Sequence, residues 1–169
     1  MPPVEVAPPG TVLPPHHSRC FACGDGPGSL GLRLTIVDDR AMTCEFLVTD
    51  QHQGAPGLAH GGVIAAVFDE ALGALQHLIG ETAVTASLST RYRRPVPVGS
   101  VLFVRSRLER RDGRKLHVSA VGHLDGPDGP VAAEGTALFV VVPAEHFEQG
   151  RAEDVEAARL ERAARPATP

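Results

Sequence analysis

Asparagine and tryptophan are absent from this chain, and lysine and tyrosine occur once each, as Lys115 and Tyr92. Aromatic residues reach only 4% of 169 residues, so any core must be built mainly from aliphatic side chains. Arg, Ala, Gly and Pro dominate the rest, a bias that carries no chemical meaning of its own. Three cysteines are an odd count and too few for a disulfide scaffold, which points to a reducing compartment. Positive charge is not in excess either: 16 Lys and Arg face 20 Asp and Glu, a net charge of −4. That speaks against a protein that binds nucleic acid by bulk charge. No apolar run reaches the ~18 residues that span a bilayer. The N-terminus shows no basic flank followed by an apolar core, and Pro2, Pro3, Pro8 and Pro9 would break one. The expectation is therefore a cytoplasmic protein with neither nucleic acid nor membrane as partner.

What is present suits one globular domain: 43% hydrophobic and 21% charged residues in a length typical of a single unit. Residues 1–18 are Pro-rich and aperiodic, and read as a flexible arm. Residues 144–169 alternate acids and arginines with alanine, and read as an exposed, charged helical tail. The folded unit spans 19–143.

Within it, Leu30–Ile36 and Met42–Val48 read as two strands joined through Asp38-Asp39-Arg40. Gly61–Ile79 reads as a helix that is apolar almost all round, hence central and buried. Val84, Ala86, Leu88 and Tyr92 then alternate with Thr85, Ser87, Ser89 and Arg91, a half-buried strand ended by Pro95 and Pro97. Val101–Arg111 and Lys115–Leu124 flank the turn signal Asp112-Gly113. Val131–Val142 is the last strand. Two strands, one helix and four strands make an α+β fold, a mostly antiparallel six-stranded sheet wrapped around one central helix. Its two open edges invite pairing with a second copy.

Gly61 and Gly62 open the helix. Without side chains there, a substrate carbonyl could approach unsatisfied N–H groups at the positive end of the helix dipole. Asp69 and Glu70 interrupt the apolar run. Asp69 shares a face with Ala65, Ala66, Leu72 and Gly73, where a carboxylate is costly unless paired or functional. Glu70 is expected to face solvent or a partner chain. Gly61 and Asp69 lie roughly 12 Å apart along the axis, awkward for one site in one chain.

Cys20-Phe-Ala-Cys-Gly24, the His60-Gly61-Gly62 helix start with Asp69 nine positions after the histidine, and the order of elements resemble the hotdog-fold acyl-CoA thioesterases of the phenylacetate-degradation (PaaI-like) type. The resemblance covers about Arg19 to Val142. It implies hydrolysis of an acyl-CoA thioester, with Asp69 as general base or nucleophile. It implies that a backbone N–H of Gly62 or Gly61 polarises the carbonyl and that His60 shapes the helix start. It further implies that Thr85 orients water, and that the site lies between two subunits of a homodimer or a dimer of dimers. Gln53, Gly57 and Ser87 are the further substrate-binding candidates. No cofactor is implied beyond coenzyme A as part of the substrate.

Nine of the basic residues fall between Arg91 and Lys115. Arg91, Arg93 and Arg94 are the candidates for the coenzyme's phosphates, because the guanidinium fork donates two hydrogen bonds. His16, His17, Cys20 and Cys23 have zinc-ligand chemistry, but structural zinc sites usually take their second pair of ligands from farther along the chain. The expectation is no metal, with Cys20, Phe21 and Cys23 anchoring the arm. His77, His117, His123 and His146 read as structural or surface residues. Two alternatives to hydrolysis remain open: a hotdog hydratase or dehydratase, and a non-catalytic module that binds acyl ligands.

Overall fold

The computed structural model describes residues 7–143 and 145–147. In chain order it contains β1 (Thr35–Ile36), β2 (Ala41–Leu47), α1 (Gly61–Gly73) with a 3-10 extension (Ala74–Ile79), β3 (Ala83–Tyr92), β4 (Val101–Asp112), β5 (Lys115–Leu124) and β6 (Val131–Val141). The strands form one antiparallel sheet of order β1-β2-β4-β5-β6-β3. Its inner face carries Met42, Cys44 and Phe46 of β2, Leu102, Val104 and Ser106 of β4, and Leu116, Val118 and Ala120 of β5, all buried.

The helix lies across that face. Ile64, Val67, Phe68, Ala71 and Leu72 are its buried residues, spaced by three and four as one helical face requires. Phe68 is fully buried, and the sheet makes room for it with glycine. A Cβ on Gly135 of β6 would stand 2.4 Å from Phe68 Cδ1, and one on Gly122 of β5 would stand 3.1 Å from Phe68 Cζ. Gly135→Ala therefore drives a methyl group into a packed ring, at a cost of about 1–3 kcal/mol. Urea unfolding reads this as a lower midpoint at unchanged slope, and an unshifted midpoint contradicts the packing.

Several expectations need correction. The first strand is short, because Gly31 (φ 65°) interrupts the extended run and only Thr35–Ile36 pair with β2. The helix tightens into a 3-10 turn after Gly73 and closes at left-handed Gly80 (φ 62°), whose N–H bonds back to Gln76 and His77. Gly61–Ile79 is, by length and composition, long and apolar enough to cross a membrane, with a mean hydropathy of 1.4. Its packing is that of a core helix, with the sheet curled around it. The two-residue turn between β4 and β5 is Gly113-Arg114, not Asp112-Gly113: Asp112 pairs with Lys115, and Gly113 takes the positive φ of the first central position.

The arm is not free over its described part. Gly10 N–H and Leu13 N–H donate to Ile36 and Leu34 carbonyls, and Ile36 N–H donates to Thr11. These bonds extend the folded unit upstream of residue 19 and cover the β1 edge. One long edge is left without a partner among the described residues, that of β3. The charged helix expected over 144–169 lies outside the described residues except for 145–147.

Candidate active site

Asp69 sits two turns into α1, on the stripe Gly62, Ala65, Ala66, Asp69 and Gly73, none of which is fully buried. That stripe corrects the expectation of a helix apolar and buried all round. It forms part of a cleft of about 650 Å³ lined by Asp69, Glu70, Gly73, His77, Thr85 and Phe139 among others. Thr85 Oγ1 donates to Asp69 Oδ1 at 3.0 Å.

A β-bulge makes this contact possible. Thr85 pairs with Phe139 and Ser87 with Leu138, leaving Ala86 as an extra residue in β3. Simple alternation puts Thr85 on the face away from Leu88 and Tyr92. The inserted residue reverses that parity, so Thr85 before the bulge and Tyr92 after it both reach α1. Period-two reasoning contains no signal for such an insertion.

The same reversal moves other candidates away. Ser87 and Arg91 follow the bulge on the outer face of the sheet. Ser87 lies in a shallow groove with Glu109, His117, Ser119 and Thr136. Arg91 lies in a second groove with Ser119 and Glu134. Neither reaches the Asp69 cleft. Arg93 pairs with Glu134, with Nη2 2.6 Å from Oε2, and Arg94 Nη1 donates to the Val131 carbonyl at 2.8 Å. The Arg93–Glu134 pair is solvent-exposed and therefore weak.

At the helix start, His60 is the N-cap and its Nδ1 accepts from Gly62 N–H at 2.9 Å. Gly62's N–H is thus already satisfied, which corrects its assignment as a free donor. Val63 and Ile64 N–H groups both bond to the His60 carbonyl. Gly61 N–H has no acceptor among the described residues. Gly61 is instead held from its carbonyl, which accepts from Tyr92 Oη at 2.8 Å. Gly54 packs against His60, where a Cβ would come within 2.9 Å of His60 Cα.

Gln53 and Gly57 build the loop before the helix. Gln53 Oε1 accepts from Gly57 N–H at 2.6 Å, and Gly57 has φ 76°. Their polar groups are spent on closing this turn, and the positive φ is the reason for glycine at 57. His52, in the same loop, stacks near Phe46 and accepts from Thr49 N–H; burial lowers its pKa.

Glu70 does not face solvent. Its side chain is 17% exposed, with Oε1 3.8 Å from His16 Nδ1. His16 Nδ1 also lies 3.0 Å from Cys23 Sγ. Cys23 is buried as expected of an anchor, whereas Phe21 is 58% exposed and anchors nothing. Burial pushes the Cys23 thiol up to about 12, His16 hydrogen bonding works against this, and Glu70 adds to it. Burial likewise raises Cys44, in the core of β2, to about 12, leaving it no nucleophilic role near neutral pH.

Residues 56–130 match the thioesterase superfamily. The cow acyl-coenzyme A thioesterase THEM4 is 37% identical over 128 residues, 73% of this chain and 52% of its own length. The chain spans about half the length of the curated relatives it matches. The solved structure of the thioesterase-superfamily protein RHA08564 is 34% identical with a TM-score of 0.59, covering 67% of this chain and 55% of that one. PaaI of the E. coli phenylacetic acid degradation operon shares the fold at 16% identity, with a TM-score of 0.62 over 68% of this chain and 81% of its own. A helix clasped by a six-stranded sheet in this order is the hotdog fold, and the likeness to the thioesterase superfamily is carried by residues 56–130.

Proposed function

We propose that this chain hydrolyses acyl-CoA thioesters, and that Asp69 supplies the reactive carboxylate. The contact between Asp69 and Thr85 on the wall of an open cleft carries the reading. Thr85 holds one carboxylate oxygen and leaves the other to act. Asp69 either removes a proton from water as the oxygen attacks the thioester carbonyl, or attacks that carbon itself. On the first route Asp69 passes that proton to the sulfur as the carbon–sulfur bond breaks, giving the acid and the coenzyme A thiol; on the second the break leaves an acyl–Asp69 anhydride, which water hydrolyses to the acid and free Asp69, a proton passing to the coenzyme A thiolate. Negative charge on the carbonyl oxygen needs a donor, and the Gly61 N–H, without an acceptor among the described residues at the positive end of α1, supports that role. The acyl-CoA substrate class is supported by the match of residues 56–130 to the thioesterase superfamily and by the name of the THEM4 relative.

Gly61 and Asp69 of one chain are separated by about 12 Å along the helix, too far to meet at one carbonyl. The β3 edge supports a two-chain site. An antiparallel β3–β3 pair with its two-fold axis at Ser89 sets Ser87 of one copy opposite Arg91 of the other and, across the extra Ala86, Thr85 opposite Tyr92. Thr85 marks Asp69, and Tyr92 marks Gly61. Each dimer would then hold two composite sites. Arg93 and Arg94 lie just beyond Tyr92, exposed and weakly engaged, where the coenzyme's phosphates could displace Glu134.

The test is free-thiol release from a panel of short, long and aromatic acyl-CoA thioesters, with double-bond hydration followed on an enoyl-CoA. Hydrolysis of at least one thioester is expected. Hydration without thiol release, or saturable binding with neither reaction, overturns the assignment.

A further inference from the structure

We infer that His16, Cys20, Cys23 and Glu70 form a structural metal site of the zinc(II) type, stapling the N-terminal segment to α1 beside the cleft. One ligand atom from each of these residues lies within 4.8 Å of every other. Tetrahedral zinc, with bonds of about 2.0–2.3 Å, holds its donors roughly 3.3–3.8 Å apart. The four side chains therefore need only a small contraction to close on one ion.

The backbone is already shaped for a metal-bound thiolate. Ala22 N–H and Cys23 N–H both point at Cys20 Sγ, at 3.3 and 3.5 Å. Such donors stabilise the charged form of sulfur and fix its direction. The turn that aims them closes through Gly24, whose N–H bonds to the Cys20 carbonyl at 3.0 Å. A Cβ at Gly24 would stand 2.4 Å from Cys20 O and 2.6 Å from Ser18 O, so the close approach of these strands of backbone demands glycine.

Glu70 is the ligand that sequence spacing could not supply. It comes from a helix far along the chain and turns its largely covered carboxylate toward two cysteines. No lysine or arginine pairs with it among the described residues. A covered carboxylate without a firm cationic partner is costly. A divalent ion between it and the thiolates removes that cost. His17 stays outside, its Nδ1 accepting from Arg19 N–H at 3.1 Å. Two sulfurs, one imidazole and one carboxylate suit zinc, and four protein ligands leave no open position for catalysis. The role is therefore architectural. His16 and Glu70 both border the Asp69 cleft, so the ion would fix one of its walls.

The site stands independently of the thioesterase reading, and its test reads metal binding alone. Full-length protein, reduced with a phosphine and stripped by a chelator, is titrated with Co²⁺. The expected result is saturation at one ion per chain, with a sulfur-to-cobalt charge-transfer band that Zn²⁺ abolishes. Cys20→Ser and Cys23→Ser should each weaken that band, and the double variant should lose it. Glu70→Gln should keep the band but bind Co²⁺ about tenfold or more weakly. His17→Ala should bind as the unaltered chain does. A titration of the unaltered protein that yields no charge-transfer band overturns the site, as does a band that survives in the double variant, where Cys44 is the only thiol left.

Discussion

Asp69→Asn lowers kcat for thioester hydrolysis by about 10²–10⁴-fold with little change in KM, the loss expected when a positioned base is removed. The substitution is nearly isosteric, and the amide oxygen still accepts from Thr85 Oγ1, so the Thr85 contact and the local packing survive. What disappears is the negative charge and the lone pair that takes a proton or attacks carbon. Steady-state kinetics on whichever acyl-CoA the native chain hydrolyses, beside thermal unfolding of both proteins, separates lost chemistry from lost fold. Glu70→Gln supplies the comparison. Its carboxylate turns toward His16 and Cys23, and its loss of activity should be much smaller than that of Asp69→Asn. Full activity in Asp69→Asn with loss in Glu70→Gln would place the chemistry on the other carboxylate. Full activity in both would remove the mechanism.

The sequence carried the order of elements plainly, because apolar spacing switches between two and near four at Gly61 and again after Gly80. Asp69 was legible for the same reason: a carboxylate in an aliphatic helix stands out against its neighbours. Geometry that depends on inserted or borrowed residues was not legible. The extra Ala86 in β3 decides which side chains face the helix, and alternation cannot count a bulge. Thr85 was therefore reached through family resemblance, while Ser87 and Arg91 landed on the wrong face. Of the two donors expected at the helix start, Gly62 is already engaged because His60, read only as shaping the helix start, turns its ring back as an N-cap. Glu70 read as facing solvent or a partner chain because nothing local announces that residues 16–23 fold across the helix to meet it.

Two inactive variants should restore activity when mixed, if each active site draws Asp69 from one chain and Gly61 from the other. Asp69→Asn removes the acid. Gly61→Val crowds the donor: a Cβ there already sits 3.4 Å from Tyr92 Oη, and the branched side chain fills the space where a carbonyl would approach. Gly62 is the poorer choice, because its N–H is bonded to His60 and a Cβ would first strike that ring at 3.0 Å. Each variant alone should be nearly inactive. After equimolar mixing through a dissociating denaturant and refolding, about half the dimers are hybrids. In every hybrid, one site combines the intact Asp69 of the Gly61→Val chain with the intact Gly61 of the Asp69→Asn chain, and the other site carries both lesions. One good site in half of the dimers amounts to about a quarter of native activity per chain, a large gain over either parent. Refolding each variant alone controls for recovery of the fold. Activity of the mixture that merely averages the two parents would mean that both groups act within one chain or that β3 does not pair with its copy.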